Sequence, residues 1–462
     1  MALGPPASPR PARLFYGWVI VGAVFCILAL AYVVWYTFSL FLVALVHEFG
    51  WSRAAVAGAF SVFVLMHAIC SPVAGRLVDR FGSRALVHGG ALVLGAALVG
   101  CSQISALWQL YACFGVLAAV GVTAMGWVSG VALVGRWFSR RLGLALGIIG
   151  GGIGLGTFVG APPIQYLIDG YGWRTAYLAL AVVVAVVPQP LALLLRARPE
   201  ELGLRRDGAP AATSPEGADR RAESAAAHDR RVVDAAWVRQ EWNVARAVRT
   251  RRFQLLFLTF GLTTFATQQT HAHQAAYLVG SGYDPMLAAM VVGTVGLLSI
   301  LSRIVIGLAS DALGRERLFS LGMVAGVASM LLMLSFAGGQ SAPALLFLYA
   351  ALFATGYSTA PTLTPAITAD LFAGRHYGAI YGVLMLCNGL GGALGAWTGG
   401  YIYDHTGSYQ LAWLEVLTAM LLAGLVVWLV SPRKVLRAPG QARAAAERRA
   451  RQATASRQGH GL

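Results

Sequence analysis

The sequence predicts an all-α membrane protein: twelve transmembrane helices arranged as two pseudo-symmetric six-helix bundles. Three observations carry this expectation. Hydrophobic residues make up 57% of the chain and charged residues only 12%, against about 25% charged in soluble proteins. The apolar residues fall in uninterrupted runs, long enough to supply the roughly 20 residues that a helix needs to cross the hydrocarbon core. A charged turn also occurs twice. Gly75, Asp79 and Gly82 recur in register as Gly307, Asp311 and Gly314, and each copy ends in arginine, at Arg84 and Arg317. Such internal repetition marks duplicated transporter-like chains.

Read in order, the first six spans lie near 15–46, 54–76, 85–103, 106–134, 142–167 and 174–196. The second six lie near 252–279, 286–310, 317–337, 342–370, 378–400 and 410–431. Residues 1–13 form an N-terminal tail, 14–196 the first bundle, 197–250 a linker, 251–431 the second bundle and 432–462 a basic tail. Within the linker, 205–230 has the Ala, Arg, Ser, Gly and Pro content of a disordered segment. The stretch 231–250, with Val232, Trp237, Trp242 and Val248 among arginines, is expected to form an amphipathic helix on the membrane surface. The first apolar run is too long for a cleavable signal and lacks a small-residue cleavage site.

Arginine sets the expected orientation. Arg10 and Arg13, Arg76, Arg80 and Arg84, Arg136, Arg140 and Arg141, Arg315 and Arg317, and Arg375 all fall on one side. The opposite loops hold only Arg53 and Arg174. The positive-inside rule then puts both termini and the linker in the cytoplasm. The net charge of +16 is accounted for by this asymmetry and requires no nucleic acid. Cys26, Cys70, Cys101, Cys113 and Cys387 are scattered through apolar spans without metal or disulfide spacing.

The duplication extends into spans five and eleven. Gly143, Gly147, Gly154, Gly156, Gly160, Tyr166, Asp169 and Gly172 pair with Gly378, Gly382, Gly389, Gly391, Gly395, Tyr401, Asp404 and Gly407, each offset by 235. Small residues at helical spacing let helices approach closely in lipid, so Gly147, Gly154, Gly156, Gly389, Gly391 and Gly395 are candidates for helix packing and gating.

The run Gly75-x-Leu77-x-Asp79-Arg80-x-Gly82-x-Arg84 resembles the loop 2–3 motif of the major facilitator superfamily, and Asp311 with Arg315 stands in the weaker loop 8–9 copy. The resemblance implies a conformational latch at Gly75, Asp79, Arg80, Gly82, Arg84, Asp311 and Arg315 that holds the outward-open state. Arg136–Gly147, Ala369–Gly382 and Gly399–Tyr409 are similar to segments of the monocarboxylate transporter and oxalate/formate antiporter group, of bacterial type. This likeness covers roughly residues 14–431 and implies transport by alternating access, with both termini inside a plasma membrane of the bacterial inner-membrane type.

An ionisable group within the membrane is a functional candidate by default. Arg303 lies in span eight, eight residues before Asp311, or about 12 Å from that end at 1.5 Å per residue. A guanidinium there can present a bidentate fork to a carboxylate; the bland alternatives are an internal ion pair or an arginine reaching water. In the resembling group a span-eight arginine is implied to hold the substrate. The sequence departs from that group at Ser299, where animal proton-linked members have aspartate, and in Ser39–Val43, which has no lysine. Asn388 stands near the helix-eleven lysine of oxalate exchangers. One fixed cation suits a monoanion. His273 and His271 in span seven are proton-coupling candidates, since histidine titrates near neutral pH, although a hydrogen-bonded polar patch accounts for them equally well. His67 reads as a packing residue. Tyr32, Tyr36 and Trp127 are weaker candidates to line the path.

These features point to a small carboxylate as substrate, protons as a candidate coupling ion, the bilayer as surroundings, no cofactor or metal, and a monomer. The absence of a Walker loop, nucleophile elbow or His/Cys cluster argues against a pump or enzyme. An exporter of drugs or other metabolites and a non-transporting sensor are the competing readings.

Overall fold

The computed structural model describes residues 15–138, 142–204, 231–338 and 341–442. The N-terminal tail, the whole of the expected disordered segment 205–230 and the basic tail beyond 442 lie outside the described residues, as does the side chain of Asp311. Nine helical segments among the described residues are long and apolar enough to cross a membrane. Two of these are pairs of spans joined at a glycine, and one more polar helix completes the twelve.

The helices follow in order. α1 runs Tyr16–Phe49, interrupted at Thr37. α2 and α3 are the arms of Arg53–Ser102, 53–81 and 83–102. α4 spans Leu107–Trp137, and α5 and α6 are the arms of Gly143–Leu193 on either side of Gly172. The second bundle contains α7 (Arg251–Gly280), α8 (Pro285–Leu313), α9 (Arg315–Ser335), α10 (Pro343–Phe372), α11 (Tyr377–Thr406) and α12 (Gln410–Val430). All-helical spans satisfy their own backbone groups where lipid offers no hydrogen bonds.

The duplicated glycines have a backbone reason. Gly82 and Gly314 adopt φ of 80° and 98°, and Gly172 and Gly407 adopt 81° and 67°. The chain reverses at these four points through conformations that a Cβ disfavours. The turn expected over 77–84 is therefore much tighter than its charge pattern suggests, because helix continues on both sides of Gly82.

Each bundle has its own apolar core. Phe38, Phe60, Phe63 and Phe114 centre the first, and Phe353, Trp413, Met420 and Phe319 the second. The bundles meet where α2 packs on α11 and α5 on α8. On α5 and α8, a Cβ at Gly154 would strike the Gly296 backbone, one at Gly151 would lie 3.3 Å from Ile300, and one at Gly293 3.2 Å from the Phe158 carbonyl oxygen. On α2 and α11, the pairs are Ala54 with Gly400, Val64 with Gly392 and Ala68 with Gly389. Toward the end that carries both termini, Gly143, Gly147, Gly378 and Gly382 have nothing within 4 Å of a built Cβ. The bundles are thus closed at the far end and parted at the termini end.

In place of one amphipathic helix, 231–250 contains two five-residue helices, Ala235–Arg239 and Val244–Val248. They pack on the second bundle: the Trp237 indole donates to the Leu371 carbonyl at 2.7 Å, and Trp237 and Trp242 lie against Phe372. Arg231 bonds Asp370 at 2.9 Å, and Val232 bridges Leu436. An indole that finds a carbonyl and two rings buries more surface here than it would on a membrane plane.

Candidate functional site

Arg303 projects from α8 into the cleft between the bundles. One guanidinium nitrogen donates to the Tyr357 hydroxyl of α10 at 2.9 Å, and its carbon lies 5.4 Å from that ring's centre. Its Nε is buried without a partner, and no ion pair to it exists among the described residues. Across the cleft, a Cβ at Gly150 would lie 3.5 Å from the Trp127 ring and 3.9 Å from an Arg303 nitrogen. Both side chains therefore converge over α5 at a position where glycine leaves room.

Trp127 is placed by a break that the sequence reading missed. Gly126 is extended (φ −79°, ψ −155°), and a new helical arm begins at Trp127. The Tyr32 hydroxyl engages the Trp127 backbone. The signal in the sequence was a glycine within span four, hidden among many other small residues.

Toward the far end the cleft is sealed by aromatic groups. Tyr36 of α1 and Tyr357 of α10 share a hydrogen bond between their hydroxyls at 2.5 Å, one from each bundle. The His271 ring sits 4.7 Å from Tyr36 and 4.8 Å from Tyr357, and its Nε2 is buried without a partner. Together with Thr157, Gly296 and Ser299 these residues line a constricted cavity just beyond Arg303. Ser299 stands one helical turn before Arg303, and its hydroxyl donates to the Gly296 carbonyl of its own helix at 2.7 Å.

His273 is placed differently. Its Nε2 donates to the Ala396 carbonyl at 2.8 Å, which leaves Nδ1 to accept from the Tyr409 hydroxyl at 3.0 Å. It is fully buried within the second bundle. His67 pairs with Thr123 at 2.9 Å beside Trp35. Asn388 is half-buried and makes no side-chain hydrogen bond among the described residues.

The repeated turns lie at the parted end, and each is held within its own bundle. Asp79 pairs with Arg136 at 3.0 Å and is largely exposed. Arg80 lies over the Phe81 ring, Arg84 is exposed and Gly75 has only Val128 nearby. Arg315 bonds Asp370 at 3.2 Å and also Ser310. Asp370 was not singled out by the sequence reading, yet it gathers Arg315 and Arg231 around one carboxylate. Of the packing glycines, Gly156 meets the Ala29 backbone, Gly391 the Gly261 carbonyl, Gly395 the Phe265 carbonyl and Gly389 the Ala68 side chain, whereas Gly147 faces open space.

The two bundles, the cleft between them and the duplicated turns match a known family. The sequence fits the profile of the Major Facilitator Superfamily over residues 24–311 and 275–458. The chain belongs to the Major Facilitator Superfamily. It is a membrane transporter by that membership. Over 440 residues it is 29% identical to monocarboxylate transporter 13 of Bos taurus, covering 90% of this chain and 89% of that one. The Rattus norvegicus protein of the same name is 27% identical over 421 residues, at the same coverage. Among solved structures, a bacterial homologue of the human lysosomal transporter Spinster, in an inward-facing and occupied conformation, superimposes with a TM-score of 0.64. That match has 13% identity and covers 92% of this chain and 98% of that one. It supports the superfamily fold.

Proposed function

We propose that this transporter carries a small organic monocarboxylate by alternating access, with Arg303 as the counter-charge. The observation that carries the reading is Arg303 itself: a guanidinium in the cleft between the bundles, hydrogen-bonded to Tyr357 and without a carboxylate partner among the described residues. Arg303 is half-buried, a cation within the membrane without an anion is costly, and an incoming carboxylate would supply two acceptors in the plane of the fork. Likeness to proteins named monocarboxylate transporters supports the same substrate class. Trp127, Tyr32 and Tyr36 would then shape the space for the rest of the acid, and Asn388 would lie on the facing helix. The arginine distribution supports a plasma-membrane orientation with both termini cytoplasmic. In that orientation the parted end faces the cytoplasm.

With Ser299 in place of an acid, His271 is the group we assign to proton uptake. Its Nε2 lacks a partner between Tyr36 and Tyr357, whereas both nitrogens of His273 are bonded. The test is uptake of labelled lactate, pyruvate, formate and aromatic acids into proteoliposomes, with and without an inside-alkaline pH gradient. The reading predicts uptake of at least one monocarboxylate and stimulation by the gradient. The substitution His271→Gln should abolish the stimulation while leaving exchange of acid for acid. Equal stimulation in that variant would remove His271 from the coupling.

A further inference from the structure

At the closed end, α11 of the second bundle terminates against the start of α2 of the first. The Asp404 carboxylate accepts the backbone N–H of Arg53 at 2.9 Å with one oxygen and that of Ala54 at 2.7 Å with the other. The Ser52 hydroxyl oxygen accepts the next N–H, from Ala55, at 3.1 Å. The first-turn donors of α2 are therefore met by one local cap and one carboxylate from the opposite bundle, where the helix dipole favours negative charge. The Arg53 guanidinium folds over the Tyr403 ring at 3.7 Å, with Tyr409 at 5.1 Å. Gly400 lets the two backbones meet, because a Cβ there would lie 2.6 Å from the Ala54 nitrogen.

The pseudo-symmetric position is not built this way. Asp169, the counterpart of Asp404 at an offset of 235, is exposed and takes a hydrogen bond from Gln165 of its own helix at 2.7 Å. The N-terminus of α8, the counterpart of α2, is capped by its own Asp284, which accepts the Leu287 N–H at 3.0 Å. Only one of the two equivalent junctions is held across the bundles by a carboxylate.

We propose that Asp404 is a positioning residue of the transport cycle: its carboxylate caps α2 in trans and latches the end opposite the termini until that end opens. Opening there must separate α2 from α11 and release both charge-assisted bonds, so the latch weights the state that is parted at the termini end. The proposal does not rest on the substrate assigned above, and its test requires no substrate.

The test replaces the five native cysteines and places spin labels at Ser105→Cys and Ala342→Cys, on exposed far-end loops of opposite bundles. Distance distributions are compared for the labelled parent and for Asp404→Asn, Asp404→Glu and Asp169→Asn added to it. Asp404→Asn should raise the ratio of long to short separations about fivefold, the order expected when one of two acceptor oxygens and the negative charge at a helix N-terminus are lost. Asp404→Glu, which keeps the charge on a longer arm, should give a smaller rise, and Asp169→Asn should match the parent. Superimposable distributions for parent and Asp404→Asn would overturn the latch, as would an equal shift from Asp169→Asn. If the asparagine variant does not fold, Asp404→Glu decides, since a parent-like distance distribution for it would also overturn the latch.

Discussion

Arg303→Ala should lower the catalytic efficiency of carboxylate uptake by about 10- to 100-fold, the range expected when one charge-assisted hydrogen-bond set is lost. The loss should appear mainly in apparent affinity, because the guanidinium contacts the ligand's charged end in the ground state. Arg303→Lys should recover only part of it, since an ammonium cannot present a planar fork. Tyr357 hydrogen-bonds both Arg303 and Tyr36, so binding at the guanidinium is placed to disturb the aromatic seal above it. Initial uptake rates across a substrate series, at equal incorporated protein, check this. Parent-like kinetics in the alanine variant would remove Arg303 from the site.

The second large effect is steric. Gly154→Val should cut uptake by about tenfold or more, because the new Cβ would meet the Gly296 backbone and lie 2.8 Å from Ile300. No rotamer relieves a contact with backbone, and overpacking of this kind costs about 1–3 kcal/mol. The cost falls on the state in which α5 and α8 are closed together, so that state is depleted. Gly22→Val is the matched control: Gly22 is exposed on α1 with nothing within 4 Å, and uptake should remain within about twofold of the parent by the same steric reasoning. Equal losses in both variants would point to general helix damage instead of the α5–α8 contact.

Much of the fold was legible because lipid imposes simple rules. Long apolar runs gave the spans, and arginines separated the two sides. The glycines repeating at offsets of 232 and 235 exposed the duplication, and four of them prove to be the reversals with positive φ. α7 shows why run length matters beyond hydropathy alone. Thr263, Thr264, Thr267, Gln268, Gln269, Thr270, His271, His273 and Gln274 make it less apolar than the other spans, although its length marked it as one, and all nine are buried. A polar helix in a membrane protein can be stable when it faces its neighbours instead of lipid.

The site was legible only in part. Arg303, Tyr32, Tyr36, Trp127 and His271 converge, and each was marked by being polar or aromatic within an apolar span. Tyr357 escaped notice although it bonds Arg303, because the two lie 54 residues apart and no periodicity links them. Asp404 and Arg53, 351 residues apart, are a stronger case. Asp404 looked like one member of a repeat, and its cross-bundle role follows from three-dimensional closure that no local pattern records. The helix break at Gly126 and the gathering of arginines on Asp370 are likewise products of packing.

The most direct measurement is competition between a carboxylate and its uncharged isostere, lactate against lactamide, in proteoliposomes containing the parent protein. Recognition by Arg303 predicts that unlabelled lactate, or a related monocarboxylate accepted in its place, suppresses labelled uptake, while the matching amide at the same concentration leaves it unchanged. Equal suppression by acid and amide, in uptake that requires the protein, would contradict the claim that this transporter selects its substrate by a negative charge.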